Sequence, residues 1–354
     1  MTTPARAALA IVMLVLAAGA ARAQTAPAPS ESAAAETAAV ATTPYFRLYS
    51  DLDTNLHDAL IVAGDARITR ETELFASGEE QGCFEALAPS ARAGWNLAVD
   101  WYREVVSPAE WTDRQQNLIR ADLAALKTGP RDERAASYLE IARAVHAAAR
   151  PAYEACRWPA QNARNRRWID ALAPRLAAHE EKVARLLADH FEVAWHGLPI
   201  RVDVVGTAPP LGANSIILSP AGGHLLISSS GLDGDRAFET LFHEAAHTLN
   251  APWRPDPVPK ALADAAARLG VPLQRDLWHV VLFYTVGETV RRVLAEGGQP
   301  GYTPYLYAFE RFGTGDWGRA RAALERIWPG YMKGESDLET AAARLLQEMK
   351  GPKR

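Results

Sequence analysis

At Gly197 the residue pattern changes period, and that change constrains the fold more than any other feature of the chain. Upstream, from about Tyr45 to residue 192, apolar residues recur every three or four positions. Ala91, Trp95, Ala98, Val99, Tyr102, Val105 and Val106 form one helical stripe. Alanine-rich amphipathic stretches follow near 113–126, 134–149 and 162–191, with Pro174 expected to break or kink the last. Downstream of Gly197 come three short runs rich in β-branched residues: Ile200 to Val205, Ser215 to Leu218 and Leu225 to Ser229. They are separated by Gly, Pro and Asn clusters, the pattern of a small sheet. Helical periodicity then returns over 236–249, 260–269 and 274–296 and in two stretches ending near Met349. The expected fold is therefore α+β and mostly α, with a helical region at 45–192 and a second region, carrying the sheet, at 193–354.

The N-terminal residues fall outside this scheme. Arg6 precedes an apolar run from Ala7 to Ala21, too short to span a bilayer, and Ala21-Arg22-Ala23 is a small-x-small cleavage site. Residues 1–23 are expected to be a signal peptide, and 24–44, dominated by Ala, Thr, Pro, Ser and Glu, a disordered linker. No cysteine stands at the cleavage point and no later apolar run approaches membrane-spanning length. The expectation is a periplasmic or secreted protein without a stable membrane anchor. In such an oxidising compartment Cys83 and Cys156 are expected to be joined, a closure that contributes roughly 4 kcal/mol on the chain-entropy model. The net charge of −4 arises from 38 basic and 42 acidic residues without a long single-sign block, so nothing points to nucleic acid as a partner.

Chemistry is concentrated in His243-Glu244-Ala245-Ala246-His247. On a helix, four residues turn the chain by about 400°, so the two imidazoles stand one turn apart on the same face. Zn²⁺ accepts histidine nitrogens in tetrahedral geometry, and a glutamate beside the first ligand can take a proton from a water that the metal has acidified. The surroundings suit a buried helix: Leu241, Phe242, Ala245 and Leu249 are apolar, Asp233 or Asp235 can cap its start, and Asn250 followed by Pro252 can stop it. The sheet lies just upstream, an order expected to bring a strand edge beside the metal, where an extended peptide could hydrogen-bond.

A third protein ligand remains to be found. Asn250 and Trp253 stand where the metzincin pattern requires Gly and His, which excludes that class. Asp264 follows Lys260 by four residues on a helix and reads as an ion-pair partner. His279 and Glu288 share the helix at 274–296, and their nine-residue separation is about 900° of rotation, so only one of them can face the metal. Glu288 sits in the apolar stretch Val280 to Val290, where an unpaired carboxylate is costly to bury; a metal would remove that cost, as would an ion pair to Arg291 or Arg292.

The order of sheet, His-Glu-x-x-His helix and glutamate-bearing helix over 199–290 resembles the gluzincins of the zincin metallopeptidase superfamily. The segment around Glu288 lacks the Asn-Glu-x-x-Ser-Asp form of the thermolysin-like members. The resemblance implies zinc at His243, His247 and Glu288, Glu244 as general base, and hydrolysis of an amide bond in a peptide or protein substrate. Tyr284, His279 and Tyr305 have the chemistry to donate to the developing oxyanion. A non-catalytic zinc protein and a helical partner-binding protein of the cell envelope are the competing classes. The remaining histidines, among them His57, His146, His179, His190 and His224, are expected to be packed or solvated rather than ligating.

Overall fold

The computed structural model describes residues 38–350 except 66–74, 76–77, 107–113, 125–132, 196, 198, 207, 209–211, 220–221 and 250–255. The expected signal peptide, most of the expected linker and the Asn250/Pro252 helix stop lie outside the described residues. The fold is α+β and mostly α, as expected, and its sheet among the described residues has five strands rather than the three the sequence pattern shows.

The strands are β1 (Ala41–Thr42), β2 (Phe46–Tyr49), β3 (Ile200–Val205), β4 (Ala213–Ser219) and β5 (Gly222–Ser228), in the order β1-β2-β3-β5-β4. The first two were not foreseen. A short turn closes them: Val40 N–H donates to Leu48 C=O at 2.8 Å, and Thr43 Oγ1 accepts from Phe46 N–H at 3.0 Å. The sheet thus begins inside the stretch expected as linker. β4 and β5 pair antiparallel with Ser215 opposite Leu225 and Ile216 opposite His224, which leaves β4 at the edge and β5 inside.

The helices are α1 (Leu52–Gly64), α2 (Gly78–Ala86), α3 (Pro89–Trp101), α4 (Arg114–Leu123), α5 (Glu133–Cys156), α6 (Trp158–Phe191), α7 (Gly234–Leu249), α8 (Pro257–Leu269), α9 (Leu277–Glu296), α10 (Tyr305–Ala308), α11 (Gly315–Met332) and α12 (Leu338–Lys350). A π-helical turn, Tyr102–Val106, extends α3. Two compact units are formed, one by Tyr49–Arg166 with Val204–Thr207, the other by Val40–Leu48, Arg167–Asp203 and Ala208 onward. The division falls inside α6, between Arg166 and Arg167 and upstream of the expected boundary at 192, and α6 runs unbroken through Pro174; residues on either side of the division bond within their own unit. In the first unit Asn165 Nδ2 donates to Val204 C=O at 2.8 Å; in the second the Trp168 indole donates to Leu232 C=O at 2.6 Å.

The first unit buries Leu52, Leu56, Leu60, Trp95, Tyr102 and Tyr153. Gly94 lets α3 approach α5 closely, since a Cβ there would stand 2.3 Å from the Ala148 carbonyl oxygen. Cys83 and Cys156 form the expected disulfide, tying α2 to the end of α5. In the second unit α7 packs against α9, β4 and β5, burying Phe238, Leu241, Phe242, Ala245 and Leu249. At Gly223 a Cβ would meet Thr248 Cγ2 at 2.3 Å, so the missing side chain lets the last turn of α7 rest on β5. Asp235 does not cap α7; its carboxylate binds Arg175 at 2.6 Å. No helix among the described residues is long and apolar enough to cross a membrane.

Candidate metal centre

The apolar face of α7 fixes the direction of its histidines. With Leu241, Phe242, Ala245 and Leu249 buried, His243 and His247 emerge together toward α9, where His279 meets them. His243 Nε2 lies 3.2 Å from His247 Nε2 and 3.3 Å from His279 Nε2, and the three side chains form the one group of metal-ligating type among the described residues, with ligand atoms all within 4.8 Å.

Burial keeps this group uncharged. Desolvation, followed by the neighbouring imidazoles, holds His243 well below the ordinary histidine pKa; burial and then His279 lower His247 to about 3, and burial lowers His279 to about 4. Neutral imidazoles present lone pairs, the form a metal binds. Each N···N contact needs one N–H and one lone pair, and His243 Nε2, which has only one or the other to offer, faces two neighbours, so it can form at most one full hydrogen bond or share one between them. The outer nitrogen of His243, Nδ1, is buried without a hydrogen-bond partner. Its ring orientation is instead fixed by Phe283, whose centroid lies 3.9 Å away. Toward solvent, His247 and His279 are half-buried, with Trp278 5.7 Å from His247 and Trp317 5.7 Å from His279.

Glu244 is buried beside the histidines, and desolvation raises its carboxyl to about 7 although the Ser215 hydroxyl donates to it. Ser215 lies on β4, so the strand edge beside the motif is supplied by β4 and not by β5, which runs directly into α7. One turn upstream of His243, buried Glu239 accepts hydrogen bonds from the Tyr302 hydroxyl and, at 3.1 Å, from Tyr305 N–H. Gly287 on α9 makes room for it; a Cβ there would lie 3.1 Å from Glu239 Oε1. Desolvation raises Glu239 to about 7. These bonds tie the 302–305 segment to α7, and Tyr305 in turn stacks on Phe283 at 6.2 Å.

Glu288 does not join the cluster. Its carboxylate binds Arg291, with Nε at 3.0 Å, and accepts from the Tyr307 hydroxyl at 3.1 Å. The nine-residue geometry holds, but His279 occupies the side of α9 that faces α7. Tyr284, expected as an oxyanion donor, is hydrogen-bonded with Tyr307 beside Glu288 and makes no described contact with the histidines. Tyr305 stacks within the aromatic cluster around Phe283. Asp264 pairs with Lys260 at 2.6 Å, as expected. The other described histidines lie elsewhere: His57 and His146 flank Tyr102, His190 meets Thr289 at 3.1 Å, His224 binds Asp203, and His179 packs edge-on against Phe238. Ser215 and Glu239 escaped sequence reasoning. Glu239 left one signal, an acid one turn before His243 among Phe238, Leu241 and Phe242. Ser215 left none beyond its place in a strand.

Compared with known proteins, the chain matches no family model, no curated protein and no solved structure.

Proposed function

We propose that this chain is a zinc-dependent hydrolase of peptide-type amide bonds, in which His243, His247 and His279 hold the metal and Glu244 is the general base. The observation that carries the reading is the convergence of three neutral Nε2 atoms next to a buried carboxylate. The donor set fits Zn²⁺: bonds of 2.0–2.1 Å at tetrahedral angles place ligand nitrogens about 3.3 Å apart, matching the 3.2 and 3.3 Å separations around His243. Held by these three histidines, Zn²⁺ would have a fourth position for water, the arrangement of catalytic rather than structural zinc. The gluzincin resemblance is thereby modified, with a histidine in the place of the glutamate.

When bound, Zn²⁺ would supply Lewis acidity and lower the pKa of a water in the open position. Glu244 would take the proton of the attacking water and return it to the leaving amine nitrogen, a role suited to a buried carboxyl that desolvation makes more basic than an exposed one. The half-buried Trp278 and Trp317 give the mouth of the site an apolar lining. Export to the periplasm or medium is part of the proposal, supported by the leader-like residues 1–23 and the bridged cysteines.

The test is a peptide library offered to the purified mature protein and to Glu244→Gln, each with and without chelator. Glu244→Gln is expected to retain one zinc per chain and to lose about two orders of magnitude or more in hydrolysis. Undiminished hydrolysis in that variant, or zinc binding without any amide hydrolysis in the native protein, ends the reading.

A further inference from the structure

A general base is useful only when its free oxygen points at the attacking water, and in this chain a residue on the sheet edge controls that direction. Ser215 Oγ lies 2.9 Å from the main-chain carbonyl oxygen of Glu244 and in close contact with Oε2 of the same residue. A hydroxyl carries one proton, so it donates to these two acceptors in turn or shares the bond between them. Either way it clamps the side chain against its own backbone. Glu244 Oε1 makes no hydrogen bond among the described residues. The clamp rests on the fixed register of β4, with Ser215 opposite Leu225 and Ile216 opposite His224. Ile216 next to it and Ala213 two residues before it are buried, which anchors this part of β4.

We infer that Ser215 is a positioning residue: it holds Glu244 by Oε2 and the main chain so that Oε1 alone is presented to the water beside the histidine cluster. The inference rests on the hydrolase reading for its consequence in turnover, but the clamp itself is a property of the fold. Its logic is that of a base oriented by a third group. Freed from the hydroxyl, Glu244 regains side-chain freedom and spends less time in the productive rotamer. The binding of substrate and of metal, which Glu244 does not mediate, is unaffected.

The experiment compares native protein, Ser215→Ala, Ser215→Thr and Glu244→Gln, each loaded with Co²⁺ in place of zinc. Threonine keeps the hydroxyl and suits a strand. Ser215→Ala is expected to bind one Co²⁺ and to show kcat lowered about 10–100-fold, the usual cost of a lost outer-shell partner, with KM unchanged. Its visible Co²⁺ spectrum should move toward that of Glu244→Gln, while Ser215→Thr restores both kcat and spectrum. A Ser215→Ala protein with native kcat and native spectrum overturns the inference and leaves the hydrolase reading standing. A spectrum that responds as expected in a protein with no amide hydrolysis supports the clamp while ending the hydrolase reading. Failure to bind Co²⁺ at all overturns both.

Discussion

Among the described residues two groups of desolvated histidines stand out, one in each compact unit, and one of them is arranged as a metal could use it. In the first unit His57 Nδ1 and His146 Nε2 approach the hydroxyl of Tyr102 at 2.6 and 2.5 Å. In the second, the Nε2 atoms of His247 and His279 lie 3.2 and 3.3 Å from that of His243, with no hydroxyl of the described residues bridging them. Both groups are kept neutral by desolvation, which pushes His57 well below the ordinary histidine range and His146 to about 4, much as it does His279. Burial and residue type are therefore common to the two. The difference is a phenol that gives one imidazole a proton and takes one from the other, saturating the inward nitrogens by hydrogen bonds. A metal site needs lone pairs that converge and have no better partner, and the His243 cluster meets that condition.

The largest effect that could break the contrast is on metal stoichiometry. His243→Ala, His247→Ala and His279→Ala are each expected to lower zinc affinity by more than the 10–100-fold that an outer-shell loss costs. Glu288→Ala, His57→Ala and His146→Ala should keep one zinc per chain, as measured by metal analysis after dialysis against a weak chelator. Zinc lost in Glu288→Ala and kept in His279→Ala would reverse the ligand assignment. A second zinc in the native protein that disappears in His146→Ala would erase the distinction between the clusters.

That reversal matters because the ligand choice is where sequence and structure diverge. The angular opposition of His279 and Glu288 on α9 was legible in the sequence, since it follows from helix geometry alone. Which side faces α7 was not, because that depends on tertiary packing. The burial argument for Glu288 failed for a local reason: Arg291 stands three residues on and Tyr307 arrives from a later segment, so the carboxylate is satisfied without metal. Helices α3 to α9, α11 and α12 and strands β3 to β5 were legible from their period; the single turn α10 was not, since four residues carry too little period. β1 and β2 were not, since two and four residues carry too little pattern to separate from a linker, and a Thr43 turn fixes them. His243, Glu244 and His247 were readable as a motif. Ser215 was not, because a serine on a strand acquires meaning only from what the strand lies beside.

A second way to sharpen the comparison is pH. For His146 the unfolded pKa is near 6.5 and the folded one about 4, so its contribution to stability is present above 6.5 and is lost as pH falls through 4. The size is on the order of 3 kcal/mol. Glu239 in the second unit has the opposite sign: its carboxyl is raised from 4.5 to about 7, so its contribution is present below 4.5 and is lost as pH rises toward 7. Hydrogen exchange read separately over α5 and α7 between pH 4.5 and 7 should show His146→Gln flattening the acid loss in the first unit. Glu239→Gln should flatten the alkaline loss in the second. Identical profiles in native and variant proteins would mean that these groups are not desolvated as described.

The smallest expected effect isolates the phenol itself. Tyr102→Phe removes one oxygen from a fully buried position and leaves ring packing in place, with Trp101 at 5.3 Å still edge-on. What it takes away is the partner of two imidazole nitrogens whose outer atoms, His57 Nε2 and His146 Nδ1, already lack hydrogen bonds. The cost should be about 1–3 kcal/mol, the penalty of leaving buried polar atoms unsatisfied, seen as a lower denaturation midpoint with an unchanged denaturant slope. The phenol is also what keeps the two nitrogens from converging on anything else. With it gone, added zinc should still bind at one per chain, because Nδ1 of one ring and Nε2 of the other offer only two ligands and no described acid completes them. A second zinc taken up by Tyr102→Phe would show that the hydroxyl alone had been masking a metal site. The separation of the two histidine groups would then rest on one oxygen atom rather than on the arrangement of the helices.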